Sequence, residues 1–177
     1  ETATIEVPGI EVNTGALGHG LSIGVGMALA AKMNHQSYKT YVLMGDGEQG
    51  EGSIYEAAMA ANQYKLDNLV AIIDRNRLQI SGTTEEVMAI EDIYQRWTAL
   101  GWDVKHMNGD NIEDIVNCFS EIDFESKRPH LLISHTTKGK GVSYMENVTK
   151  WHHGVPNQEE FDLAIKEISE RIATLEK

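Results

Sequence analysis

The chain has 177 residues, with 15 Lys and Arg against 27 Asp and Glu for a formal net charge of −12, and one cysteine, Cys118. That length suits one ordinary domain with its own core, and a lone cysteine excludes an intramolecular disulfide framework or a Cys-rich zinc site and fits a reducing compartment such as the cytoplasm. The acidity argues against nucleic acid as a partner, since that needs clustered Lys and Arg, and no run of about 18 apolar residues offers a membrane span.

Glu1 to Glu6 contain neither a basic nor an apolar signal region. Because the chain opens on Glu and glycine-rich material begins by residue 15, a further segment is expected before Glu1. Leu21, Val25, Ala28 and Leu29 recur at helix spacing before Lys32 and Asn34, and a strand is predicted at Thr40 to Met44. Ile54, Ala57, Ala58 and Ala61 mark a second helix, stopping near Asp67-Asn68, before a strand from Leu69 to Asp74. A long polar connection, Ser81 to Ala89, leads to a helix over about Ile90 to Leu100 and a strand from Trp102 to Met107. Asn111 is a candidate cap for a helix over about Ile112 to Phe119, followed by a strand from His130 to His135. A second long connection, Lys138 to Trp151, precedes a helix from Gln158 to Leu175, expected to be an amphipathic cover with a charged outer face. Met27, Met33, Met44 and Met59 read as core filler. Strands alternating with helices imply βαβ units, so the expectation is one α/β domain over residues 1–177, three-layered (αβα) with a mostly parallel sheet.

The most informative segment runs from Gly45 to Gly52, GDGEQGEG, between a strand and a helix. Gly45, Gly47 and Gly50 spell the GxGxxG of a dinucleotide loop, and Asp74 follows at the end of the next strand. The charges argue otherwise, because Asp46, Glu48 and Glu51 would crowd any phosphate held at that helix start unless a divalent cation stood between them. A right-handed crossover sets the carboxyl ends of the strands ending at Met44 and Asp74 side by side. Asp46 and Asn76 would then face one pocket, and with a main-chain carbonyl just beyond they supply three hard oxygens of the kind Mg²⁺ takes. No Walker lysine supports a P-loop.

Gly45-Asp46-Gly47, with Asn76 about thirty residues on, resembles the thiamine diphosphate signature, and the wider run GDGEQGEGSIYEAAMAANQYKLDNLVAIIDRNRLQ resembles transketolase. Pro8 to Gly20 (PGIEVNTGALGHG), Lys138 to Gly141 (KGKG) and Trp151 to Gly154 (WHHG) match the same family in the same order, so the likeness covers nearly the whole chain. It implies the thiamine diphosphate-binding fold and a cofactor domain or subunit that serves transfer of a two-carbon ketol unit from a ketose phosphate to an aldose.

The resemblance also implies roles for particular residues. Asp46, Asn76 and the main chain of Leu78 would hold Mg²⁺, Ca²⁺ or Mn²⁺. Gly15, Leu17, His19, Gly45, Gly47, Glu48, Asn76, Ile80, Lys138 and His152 would contact the cofactor. Glu51 and Glu56 resemble acids at the interface between two cofactors, and with His152 or His153 make up the catalytic set. Counting from Trp151 selects His152, which is preferred, whereas counting back from Gly154 selects His153. His19 stands where many transketolases have Gln, and the pyrimidine-binding domain that follows in the family is absent after Gly154, so it is expected on a partner chain, in a dimer or heterotetramer. Simpler readings stand beside these: Glu51 and Glu56 as first-turn acids opposing a helix dipole, Lys138 to Gly141 as a solvated loop, and His19 as a cap. The competing classes are deoxyxylulose-phosphate or dihydroxyacetone synthases, an NAD oxidoreductase and a non-catalytic cofactor-binding protein. His35, His106 and His130 show no metal-ligand spacing.

Overall fold

In the computed structural model, which describes residues 7–175, the strands are β1 (Thr40–Gly45), β2 (Leu69–Arg75), β3 (Leu78–Gln79), β4 (Gly82–Thr83), β5 (Asp103–Asn108) and β6 (His130–His135). The α-helices are α1 (His19–Met33), α2 (Gly52–Gln63), α3 (Thr84–Val87), α4 (Ile93–Ala99), α5 (Ile112–Ser120) and α6 (Gln158–Leu175).

β2 and β6 carry near-continuous apolar runs, Leu69 to Ile73 and Leu131 to Ile133, the pattern of strands covered on both faces. They accordingly sit in the middle of a four-stranded, wholly parallel sheet of order β1-β2-β6-β5. α1, α2 and α4 pack one face, where Leu21, Val25, Ile54, Ala58, Trp97 and Trp102 close the larger core over Val42, Ile73 and Ile133. α5 covers the other face through Ile115, Cys118 and Phe119 against Val70, Met107 and Leu132. This is the expected αβα arrangement with a parallel sheet. α1 lies so close to β1 that a Cβ at Gly24 would collide with Val42, which is why glycine stands there.

β6 and α6 have their expected bounds, and Asn111 does cap α5, accepting from the N–H groups of Glu113 and Asp114. Four expectations need correction. Ser81 to Ala89 is not a bare connection: β3 and β4 pair as a short antiparallel hairpin, and α3 follows behind a capping box of Thr83 and Glu86. α4 begins at Ile93 rather than near Ile90. Met33 and Met59 are exposed, leaving Met44 buried and Met27 half-buried as core methionines. α6 buries only Ala164, and Phe161, Ile165, Ile168 and Ile172 are each 40–50% exposed, so it covers little.

Candidate cofactor site

β1 and β2 pair directly, with Gly45 opposite Asp74, so the residues following the two strands emerge side by side at the carboxyl end of the sheet, where open α/β sheets bind ligands. Asp46 is buried there. Its Oδ1 accepts from Gly47 N–H at 2.8 Å, and its Oδ2 accepts from Arg77 N–H at 2.6 Å and from Arg75 Nη1 at 3.0 Å. Just past β2, Asn76 donates its Nδ2 to Asp74 Oδ2 at 3.1 Å and accepts the Leu78 N–H on Oδ1 at 3.0 Å. Asp74 is held in turn by the hydroxyl of Thr136, just past β6. Three adjacent strand ends are thereby tied to one another.

These contacts allow a count. A carboxylate has about four lone-pair sites and an amide oxygen two. Among the described residues, Asp46 spends one on Oδ1 and two on Oδ2, and Asn76 Oδ1 spends one. Asp46 Oδ1 and Asn76 Oδ1 therefore each keep an acceptor position. One anionic oxygen, one amide oxygen and the main-chain oxygen of Leu78 form a hard, all-oxygen donor set, which fits Mg²⁺. No cluster of three or more His, Cys, Asp or Glu suited to a metal occurs among the described residues, so a metal here would rest on this mixed set.

Two acids of the glycine loop, Asp46 and Glu48, are answered from within the protein, whereas Glu51 is exposed. Glu48 does not stand free toward a phosphate: Oε1 accepts from Gly18 N–H at 2.8 Å and Oε2 from Gly45 N–H at 3.0 Å. Ser53 adds a hydroxyl bond to Gly18 C=O at 3.0 Å. Gly18 itself has φ +83°, and a Cβ on it would lie 2.8 Å from Glu51 Cβ, so only glycine lets the two loops close. This clasp sets the stretch Gly15 to His19 beside the Gly45–Gly50 loop. Gly15 and Leu17 are exposed, and His19 opens α1 with its Nδ1 3.2 Å from Leu17 C=O. The Gly47 N–H is turned to Asp46, and Gln79 lies over this glycine, where a Cβ would come within 2.9 Å of its Oε1.

The remaining predicted residues fall around this centre. Lys138 follows β6 and is half-buried, its C=O accepting from Asn147 N–H at 2.9 Å to close the loop. The 3₁₀ turn Thr149–His152 packs against β3, which brings the WHHG motif to the strand that follows Asn76. His152 and His153 are both exposed, with rings edge-to-face at 4.6 Å. Ile80 is exposed at the β3–β4 turn, and Glu51 and Glu56 are exposed at the start of α2.

Arg75 escaped sequence reasoning. It is buried at the end of β2, with Nη1 on Asp46 Oδ2 and on Thr84 Oγ1 at 2.7 Å, Nη2 on Glu85 Oε1 at 3.2 Å and Glu91 Oε1 at 2.7 Å, and Nε on Glu91 Oε1 at 3.2 Å. Burial alone would make this guanidinium less basic, but its bonds to Glu91 and Asp46 outweigh that and hold it charged. For Glu91, burial alone would raise the carboxyl; the bonds from Arg75 and Ile93 N–H, with the charges of Arg75 and Arg77, bring it below the usual range. The available signal was a basic residue inside an apolar strand followed by the acidic run around Glu85 and Glu86.

Asn68 and Asn76 separate the two ends of β2. Asn68 is buried before the strand and donates Nδ2 to Ala28 C=O at 3.0 Å, while its own C=O accepts from Thr40 N–H at 2.9 Å. Asn68→Ala is expected to cost about 1–3 kcal/mol of stability, the penalty of an unpaired buried group, with thiamine diphosphate affinity unchanged. Asn76→Ala is expected to do the reverse, as read by melting without ligand and calorimetry with it. Equal affinity losses would place the site at the wrong end of the sheet.

The layered parallel sheet agrees with what known proteins show. The profile of the family described as transketolase, thiamine diphosphate binding domain, matches residues 2–170. The chain belongs to the transketolase family, of which it carries the thiamine diphosphate binding domain. More particularly, it is 76% identical over 174 residues to one of the named subunits of the apulose-4-phosphate transketolase of Phocaeicola vulgatus, a match covering 98% of this chain and 62% of that protein. It is 39% identical over 160 residues to the SqwG subunit of the 6-deoxy-6-sulfo-D-fructose transketolase of Clostridium sp. (strain MSTE9), covering 90% and 58%. The chain thus spans about three-fifths of the length of the curated relatives it matches. The solved transketolase of Campylobacter jejuni superposes with a TM-score of 0.83 at 34% identity, covering 91% of this chain and 26% of that one.

Proposed function

We propose that this chain is the cofactor-binding half of a two-subunit transketolase, and that it serves transfer of a two-carbon ketol unit from a ketose phosphate to an aldose in the cytoplasm. The observation that carries the reading is that Asp46 and Asn76 follow the carboxyl ends of two directly paired strands, the Oδ1 of each keeping an acceptor position to spare. Bound thiamine diphosphate would supply the nucleophilic carbon that cleaves the ketose.

This chain's residues would do the binding and orienting. Asp46, Asn76 and the Leu78 carbonyl would hold Mg²⁺, or Ca²⁺ or Mn²⁺, and the cation would lie against the diphosphate. Gly15, Leu17, Gly45, Gly47 and Ile80 would line the cofactor, with Glu48 and His19 fixing the loops that carry it. Lys138 would offset diphosphate charge. His152 would donate a hydrogen bond to the oxyanion that develops on the substrate carbonyl, with His153 its neighbour in that role. Glu51 and Glu56 would face the partner, a pyrimidine-binding chain, in a dimer or heterotetramer. The relatives' names point to phosphorylated or sulfonated ketoses as the first donors to try.

The dinucleotide alternative is set aside by the family assignment, and a deoxyxylulose-phosphate or dihydroxyacetone synthase would share the cofactor domain. Thiamine diphosphate with Mg²⁺ is expected to raise the melting temperature by about 5–10 °C at a hundredfold excess over Kd, since such an excess stabilises by about 2.7 kcal/mol and each kcal/mol is worth about 2–4 °C in a chain this long. Thiamine diphosphate in EDTA, and NAD with or without Mg²⁺, should leave it unmoved. A shift with NAD would contradict the reading.

A further inference from the structure

Arg75 presents one positive charge to three carboxylates, those of Asp46, Glu85 and Glu91. Its fork works in two directions. Nη1 reaches Asp46 Oδ2, leaving Oδ1 as the oxygen with an open acceptor position, while Nη2 and Nε are taken by Glu91 and Nη2 also by Glu85. Glu91 is itself pinned, because its other oxygen accepts the Ile93 N–H at 3.1 Å in the first turn of α4. The guanidinium is thus aimed from α4 and from the start of α3, and it in turn fixes the carboxylate in the cation site.

From this geometry we infer that Glu91, and to a lesser degree Glu85, are positioning residues that set the affinity of the Asp46 site for a divalent cation by acting through Arg75. The inference rests on Asp46 being the cation's carboxylate ligand. Two effects give the same sign. Without Glu91 the guanidinium loses two of its bonds, from Nε and Nη2, and is left to Thr84 and Glu85, so Asp46 Oδ2 is held less firmly and Oδ1 is less well aimed at the cation. Without the negative charge, Arg75 faces the incoming cation less fully neutralised and repels it. Both acids take Arg75 Nη2, whereas Asp46 Oδ2 takes Nη1, so they reach the carboxylate through the guanidinium.

The test is calorimetric titration of the purified protein with thiamine diphosphate over a series of Mg²⁺ concentrations, together with the melting temperature of the ligand-free protein. Glu91→Gln, which keeps shape and removes charge, is expected to raise the Mg²⁺ concentration for half-saturation by about 3- to 10-fold, the size of a coupled rather than direct effect. Glu91→Ala should raise it at least as far, and Glu91→Asp should recover part of the loss. Glu85→Gln, which leaves the α4 cap intact, should give a smaller shift in the same direction and serves where a Glu91 variant fails to fold. A merely structural role would lower the melting temperature and leave the Mg²⁺ requirement where it was. Asp46→Asn separates the two layers of the argument. If it binds with an unaltered Mg²⁺ requirement, the cation assignment fails and the coupling with it. If it loses Mg²⁺-dependent binding while folded Glu91 and Glu85 variants titrate like the parent, the coupling alone is overturned.

Discussion

Asp46→Ala is expected to abolish Mg²⁺-dependent binding of thiamine diphosphate while the domain stays folded. Asp46 supplies the one full negative charge of the oxygen set at the carboxyl ends of β1 and β2, and neither Asn76 nor a main-chain carbonyl replaces that charge. Breaking a buried ion pair costs about 3–5 kcal/mol when the surviving partner is left alone. Here Arg75 keeps Glu85, Glu91 and Thr84, so the stranded charge is still answered and the loss should lie well below that range. Circular dichroism and melting should show a native fold, and calorimetry should show binding reduced at least a hundredfold at millimolar Mg²⁺. Parent protein that bound equally well in EDTA would remove the basis for a metal at this site.

Ketol transfer is expected to be undetectable with this chain alone and to appear when a separately expressed pyrimidine-domain partner is supplied. The two-subunit reading proposed above puts the pyrimidine-binding domain on the partner, and the described residues here form one main sheet and its covering helices. We expect the partner to cover the exposed surface beside the candidate site. Glu51, Glu56 and the 55% exposed Met59 lie on the outer side of α2, next to the exposed Leu17 of the adjoining loop. An obligate contact of this sort should exceed the roughly 1,200–2,000 Å² of a standard interface. Co-purification with near-zero activity of the separate chains is the expected outcome, and strong turnover by the purified chain alone would refute the two-subunit reading.

Much of the architecture could be read from the sequence because the central strands β2 and β6 are apolar on both faces and the strands of the main sheet are separated by helix-length segments; β6 and α6 even kept their bounds. The adjacency of the two strand ends that precede Asp46 and Asn76 was equally legible, since right-handed crossovers leave few places for two strand ends to go. Arg75 was not, because nothing in the run Ile73-Asp74-Arg75 says whether the side chain turns outward or under the loop. The β3–β4 hairpin hid behind strands of two residues each, too short for any period to register. Periodicity in α6 showed an apolar side but not how far anything covers it, and Phe161, Ile165, Ile168 and Ile172 remain about half exposed. The sequence shows three acids crowding the glycine loop but not that Glu48 is spent on two backbone amides.

That clasp between Glu48 and Gly18 has a bearing on when the site comes into being. It joins residues 30 apart, and the Ser53 bond to the same glycine spans 35, so both close a loop that contains all of α1 and β1. The entropy of closing such a loop is recovered only once the helix has docked on the strand. A chain in which α1 is still loose therefore has the glycine motif and the histidine-bearing motif in its sequence but no pocket between them. Binding then selects fully assembled molecules, so the cofactor acts as a ligand of the native state alone. Its concentration in the cell would set how much of this protein survives surveillance by proteases, independently of how fast the enzyme turns over.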